Sequence, residues 1–349
     1  MADQPSLTRE QLARFDRGSM LDDVLGLPRH LRAAIAEPAG RRLPWGSPHD
    51  GVVVAGVGGA AVAGDLAAAL LGPRVTTPVR TVRGYELGPG VGPDTVVVCL
   101  SYSGATDSTL ACFRAGVAAG ARVVAVTNGG TLLELARAAG APILGLPAGF
   151  QPRAAIAYTL VSLLACIGVP AADTGLASAA AALDALAREW GPDAADDSAA
   201  KALARQLFGA LPVVYGVGPT VAAAARWRTQ LTETGKQVAF ASDLVDAGHY
   251  EIAAWDNGSR PANAVAVFLA AEPDQHPDGF RRMRLTEQVL AGAGMATYWV
   301  DAPGETRAER LLALVLLGDL VSLYLAALRG ADPSAIPLIA RLNQLIASA

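Results

Sequence analysis

Ser101, Ser103 and Thr106 lie within one short stretch, directly after the apolar run Val96–Leu100. A short, uninterrupted apolar run is the pattern of a strand covered on both faces in a parallel sheet. Gly104 lets the chain turn tightly, and Leu110, Phe113, Val117 and Ala118 then recur at helical spacing, with Thr106 or Asp107 as the cap. Three hydroxyls and the main-chain N–H groups of a helix start therefore meet at one turn. Neutral donors and the positive end of a helix dipole suit a dianionic phosphate held without a metal. The same turn would also serve as an ordinary strand-to-helix connection whose serines only cap.

A second turn competes for the same attention. Gly56-Val57-Gly58-Gly59-Ala60-Ala61 follows an apolar run at 51–55 and formally fits the G-x-G-x-x-G/A dinucleotide fingerprint. That fingerprint also requires an acidic residue roughly 20 positions on, at the end of the next strand. Thr81-Val82-Arg83 occupies that place, and Glu86 comes only beyond it. A nicotinamide-dependent reductase is thus a third-ranked reading. The alternative is that bare backbone at Gly58 and Gly59 approaches a sugar beside the phosphate turn.

Composition narrows the class. A net charge of −4 leaves no basic footprint for nucleic acid. Arg74, Arg80 and Arg83 are dispersed, as solvated groups or local anion contacts. Cys99, Cys112 and Cys166 sit in apolar surroundings without C-x-x-C spacing, which points to a reduced, cytoplasmic setting. His30, His49, His249 and His276 are too scattered for a local metal motif, so no metal and no cofactor are expected. The first 17 residues are polar and carry no signal-peptide core. The apolar segment 311–328 is interrupted by Gly318 and Asp319, which argues for a buried or interface helix rather than a membrane span.

The elements that must position these turns alternate. Residues 12–36 have helical spacing and are expected as two helices broken at Pro28, outside the first domain, followed by a loop at 38–50. Strands are expected at 51–55, 79–83, 96–100, 122–127 and 142–146, with helices between, and a helical region covers 152–188. The pattern then restarts with a strand at 211–215, the turn Gly216-Val217-Gly218-Pro219-Thr220 and a helix at 221–231. Strands at 238–241, 264–269 and 296–300 and helices at 280–290, 305–328 and 334–347 complete it. Such alternation implies right-handed βαβ units and parallel, doubly wound sheets. Sites in these sheets lie at the carboxyl ends of the strands, here at both glycine turns and at 101–106.

Five segments in order resemble the sugar isomerase (SIS) domain family, and within it the bifunctional phosphoglucose/phosphomannose isomerases. Gly56-Val57-Gly58-Gly59-Ala60 is similar to that family's G-x-G-G-S turn, and Ser101-Tyr102-Ser103-Gly104-Ala105-Thr106 to its phosphate-binding S-Y-S-G-x-T. Gln151-Pro152-Arg153-Ala154-Ala155 resembles its P-R-x-A segment. The stretch from Arg226 through Trp227, Gln230 and Glu233 to Lys236 resembles R-W-K-x-Q-x-N-E-N-x-K, and Gly248-His249-Tyr250-Glu251-Ile252 its H-N-E segment.

The resemblance implies an α/β fold of two SIS-type domains, each a mainly parallel doubly wound sheet flanked by helices. The divisions are 1–40 as a helical segment packing on the first domain, 41–170 as SIS domain 1, 171–200 as a helical linker and 201–349 as SIS domain 2. It implies aldose–ketose isomerisation of glucose 6-phosphate or mannose 6-phosphate to fructose 6-phosphate through a cis-enediol. Ser101, Ser103 and Thr106 would then hold the phosphate and Gly58 and Gly59 the sugar. Glu233 would be the base, Arg153 would steady the enediolate, and His249 would open the ring across the interface of a homodimer. From the residues alone, Glu233 could equally be a solvated partner of Lys236, and Arg153 half of a surface salt bridge. The chain departs from the family at Ala60 (Ser), Thr232 and Thr234 (Asn), Tyr250 (Asn) and Asn343 (Lys). These changes define the alternative of a phosphosugar-binding sensor or partner protein that has lost catalysis.

Overall fold

The computed structural model describes residues 6–37, 43–45, 50–256 and 261–348; most of the loop expected at 38–50, with His49, lies outside them, as does the Arg74 side chain. Two parallel sheets carry the chain. In the first, β1 (Val52–Ala55), β2 (Val79–Val82), β3 (Val96–Leu100), β4 (Arg122–Thr127) and β5 (Ile143–Gly145) lie in the order β2-β1-β3-β4-β5. In the second, β6 (Leu211–Gly216), β7 (Phe240–Asp243), β8 (Ala264–Ala270) and β9 (Ala296–Asp301) lie in the order β7-β6-β8-β9. In both sheets the first strand sits inside and the order reverses beside it, so each half is the doubly wound α/β unit expected from the alternation.

The period-two alternation of the strands divides the burial. Val52, Val54, Val96, Val98, Val124 and Val126 of the first sheet and Val214, Val265, Val267 and Leu269 of the second share one apolar core with the helices between them. Val53, Ala55, Val97 and Cys99 face the opposite side, under the Asp107–Ala118 and Gly130–Ala138 helices. All three cysteines are free and buried.

The helix Arg307–Leu328 packs on Thr220–Glu233, Leu176–Trp190 and Ala199–Leu207 and is buried from Ala308 to Ala327. This meets the expectation of a buried helix. Both residues that interrupt its apolar run are occupied. A Cβ on Gly318 would stand 2.4 Å from the Trp227 indole nitrogen, which donates to the Leu314 carbonyl at 2.8 Å. Asp319 accepts from Arg226 Nε at 3.0 Å and Nη2 at 2.8 Å. The helix Thr220–Glu233 is thereby seated along Arg307–Leu328 by a notch and an ion pair.

Three expectations shift. The N-terminal segment forms three helices, Arg9–Ala13, Met20–Leu25 and Leu27–Ala36, and Pro28 opens the third rather than breaking a second. Proline is tolerated in a first turn because its missing N–H would have no partner there. These helices are not confined to the outside of the first half: Leu27–Ala36 packs on Ile156–Ile167 and Leu176–Trp190, and Met20–Leu25 on Arg307–Leu328. The strand expected at 238–241 begins at Phe240, because the buried Gln237 side chain is tied to the Leu207 carbonyl at 2.6 Å and to Arg329, leaving Val238 outward. Arg80 donates to the carbonyls of Leu87 and Pro89, and Arg83 pairs with Asp65, so neither is a free cation.

Filling the Gly318 notch tests the seating of the two helices. Gly318→Ala is expected to lower stability by about 1–3 kcal/mol through overpacking against Trp227. A fall in the urea midpoint with an unchanged m-value would report it, and a midpoint at or above wild type would show that the notch is not required.

Candidate active site

The turns that follow β1 and β3 lie side by side at the carboxyl end of the first sheet. Ser101 is buried, its Oγ 2.8 Å from Thr106 Oγ1, and it accepts the Gly104 N–H at 3.1 Å; exposed Ser103 accepts the Ala105 N–H at 3.3 Å. Thr106 stands at the N-cap of Asp107–Ala118, but its hydroxyl turns back to Ser101 instead of capping. The three hydroxyls therefore serve the turn and its opening rather than the helix. Gly104 has φ +66°, and a Cβ there would meet the Gly129 carbonyl at 1.7 Å, so only glycine fits. Gly58 also lies at positive φ, +57°, with nothing within 4 Å of where its Cβ would be. The Gly58-Gly59 backbone borders an open cleft.

That cleft, about 260 Å³, is bordered by Gly58, Gly59, Ser101, Ser103, Thr106, Arg153, Arg226 and Glu233, with Ile339 of the C-terminal helix Pro337–Ser348. Arg153 lies in the single turn Pro152–Ala154 and is 3% exposed. Its Nη1 donates to Glu233 Oε1 at 2.7 Å, its Nε to Thr234 Oγ1 at 3.0 Å and its Nη2 to the Pro333 carbonyl at 2.6 Å. Burial lowers the pKa of Arg153 and the Glu233 carboxylate opposes that shift. Glu233, the last residue of its helix, keeps 28% of its side chain exposed, and its Oε2 makes no hydrogen bond among the described residues. The arrangement offers a carboxylate able to take a proton, a guanidinium able to hold developing negative charge, and hydroxyls at a helix start for an anion.

Both bland readings of the pair are corrected. Arg153 is not in a surface salt bridge but buried. Glu233 is not the partner of the Lys236 side chain, whose ammonium donates instead to the main-chain carbonyls of Glu233 and Ala335, each at 2.6 Å. Lys236, at φ +55°, locks the turn after the helix in this way. Burial and the nearby Arg153 charge lower its pKa.

One expected site residue, His249, and the second glycine turn lie outside the cleft. His249 is exposed in the turn after Leu244–Ala247, and the second glycine turn opens elsewhere: Val217 and Gly218 line a groove of about 770 Å³ with Val245, Gly248, His276 and Leu285. Glu233 sits at the opposite end of the helix that starts from that turn, about 21 Å away at 1.5 Å rise per residue. Glu251 is engaged structurally, accepting from Tyr215 and Ser242 hydroxyls at 2.6 Å each, and so pins the His249 segment to the second sheet. Of the departures, Ala60 borders the cleft, while Thr232, Tyr250 and Asn343 are exposed. Thr234 is buried and retains an acceptor for Arg153. Sequence reasoning missed Arg226 as a cleft residue; its signal was a charge at Asp319 inside an apolar helix.

Comparison with known proteins bears on this geometry. The chain is 31% identical over 304 residues to the bifunctional phosphoglucose/phosphomannose isomerase of Caldicellulosiruptor bescii, covering 85% of this chain and 90% of that one. The chain belongs to the bifunctional phosphoglucose/phosphomannose isomerase family. The Aquifex aeolicus relative of the same name is also 31% identical, over 85% of this chain and 91% of its own length. The bacterial phospho-glucose isomerase C-terminal SIS domain matches residues 196–346. A crystal structure of a hypothetical protein from Thermus thermophilus superposes with a TM-score of 0.75 at 16% identity, covering 98% of this chain and 93% of that one, a likeness of fold. The two α/β halves are thus SIS-type domains.

Gly104→Ala probes the hydroxyl-rich turn after β3. A side chain forced to positive φ against a carbonyl is expected to cost about 1–3 kcal/mol. Melting with and without inorganic phosphate checks it: the variant should melt lower and gain no protection from phosphate, and wild-type protection would refute the role of the turn.

Proposed function

We propose that the chain is a phosphosugar isomerase interconverting glucose 6-phosphate or mannose 6-phosphate with fructose 6-phosphate through a cis-enediol. The observation that carries the reading is the Arg153–Glu233 contact of 2.7 Å inside a cleft that also contains Ser101, Ser103 and Thr106. The phosphate of the open-chain sugar accepts from the three hydroxyls and from N–H groups at the start of Asp107–Ala118, next to the bare backbone of Gly58 and Gly59. No metal is needed in this scheme.

Glu233 removes the proton from C2 of the aldose, the electron pair forms the C1=C2 bond, and the carbonyl electrons move to O1. Arg153 stabilises that oxyanion. Glu233 returns its proton to C1, the O2 hydroxyl proton passes to the O1 oxyanion, and the C2 carbonyl of the ketose forms. Because Arg153 also holds Glu233, one guanidinium aligns the base and the enediolate together.

Ring opening requires a group that exchanges protons with O1 and O5, and His249 is assigned to it from a second copy of the chain. Support comes from its position: it is exposed and outside the cleft of its own chain, near exposed Val245, Tyr250, Leu285 and Val289, while the C-terminal helix beside the cleft exposes Leu338, Leu342 and Leu345. Apolar faces of this kind suit a homodimer. The binding-only alternative draws on Ala60, which leaves the cleft one hydroxyl short of the family turn.

Fructose 6-phosphate incubated with the protein in D2O and followed by NMR separates the readings. Deuterium at C1 of the ketose or C2 of the aldose, abolished in Glu233→Gln, is the expected result; binding without exchange would establish the sensor, and dinucleotide binding alone the reductase. Mixing inactive Glu233→Gln with inactive His249→Ala should regenerate about a quarter of wild-type turnover per subunit if random pairing leaves one intact site in half of the dimers. No recovery would place His249 in its own chain's chemistry or outside the reaction.

A further inference from the structure

Asp319 is 3% exposed in the otherwise apolar run 311–321 of the helix Arg307–Leu328, a costly place for a carboxylate. The helix does not need it for register, since the Gly318 notch already seats Trp227 one residue away. Its partner is Arg226, 1% exposed, which reaches it through Nε and Nη2. The same Nη2 donates to the main-chain carbonyl of Arg153 at 2.8 Å. The guanidinium of Arg153 returns to the end of the same helix, at Glu233 and Thr234.

A closed circuit results. The helix Thr220–Glu233 grips Arg153 twice, by its backbone through Arg226 and by its side chain through Glu233 and Thr234, and Asp319 fixes the first grip from the neighbouring helix. The circuit crosses the molecule, joining a turn that follows the first sheet to helices of the second half. It carries two positive and two negative groups, so that Arg226 does not confront Arg153 as an uncompensated cation. An ion pair kept only for stability would be replaceable by apolar side chains of similar volume.

We infer that Asp319 and Arg226 are positioning residues that hold Arg153 and Glu233 in mutual register for the enediolate, an assignment that rests on the isomerase reading of the cleft. Neither touches the phosphate turn, so their loss acts on the reacting end of the sugar and spares its anchored end.

Asp319→Asn preserves shape and removes the charge. Its kcat for fructose 6-phosphate is expected to fall about 10- to 100-fold, the effect of a misplaced reacting group, with KM changed less than about 3-fold. Calorimetry with 5-phosphoarabinonate, whose carboxylate mimics the enediolate, should show a loss of about 10-fold in affinity, against less than about 2-fold for glucitol 6-phosphate, which has no such charge. The apolar pair Arg226→Met/Asp319→Leu should recover the wild-type melting temperature and leave kcat low. Wild-type kcat in that double variant, or an equal change for both ligands in Asp319→Asn, would overturn the positioning role and reduce the pair to a fold element. If the double variant does not fold, the ligand comparison in Asp319→Asn decides alone. A wild-type protein that binds neither compound would overturn the isomerase reading instead, and the inference with it.

Discussion

The helix Thr220–Glu233 can lie against Arg307–Leu328 in one way only, and the candidate site depends on that contact. Trp227 enters the space left by Gly318, and one residue further Arg226 meets Asp319. Tight packing makes such a contact fixed rather than adjustable, because an indole beside a missing Cβ has no neighbouring position of similar energy. Once the helix is seated, its last residue Glu233 is delivered to the cleft and Arg153 is drawn onto it. A carboxylate held on a loop would give up the positional precision that the end of a packed helix provides.

The cleft divides its tasks between the two halves. The first half supplies two turns at adjacent strand ends, with hydroxyls, glycine backbone and a helix start, all formed by residues close in sequence. The second half supplies the Glu233 carboxylate, and Arg153 sits where the halves meet. The pseudo-equivalent glycine turn of the second half opens into a different groove, with Leu285 and Val245 at its border. Two domains of one architecture therefore present their strand ends to different surroundings, and of the two glycine turns only the first borders the cleft with Glu233.

Departures from the family pattern also take on separate meanings in three dimensions. Thr234 substitutes one acceptor for another beneath Arg153, and its burial keeps that hydrogen bond away from solvent. Tyr250 and Asn343 lie on exposed surfaces, Tyr250 bonded to Asp246 and Asn343 on a helix whose Ile339 borders the cleft. Ala60 alone changes the cleft wall directly.

By itself the sequence determined most of the strands, the two doubly wound halves, the hydroxyl-rich turn after Val96–Leu100 and the family, because these follow from local rules. Buried parallel strands read as apolar runs such as Val96–Leu100, and positive-φ turns demand glycine at Gly58 and Gly104. It also carried, as anomalies, the two residues that interrupt an apolar helix. The tertiary structure decided what those anomalies contact, that Arg153 rather than Lys236 holds Glu233, that Thr106 binds Ser101 instead of capping, and that His249 lies outside its own chain's cleft. Each of these joins groups distant along the chain, as Arg226 and Asp319 are separated by 93 positions. Periodicity reports which face of an element is buried, but the partner of a buried charge is set by how helices from different parts of the chain are packed.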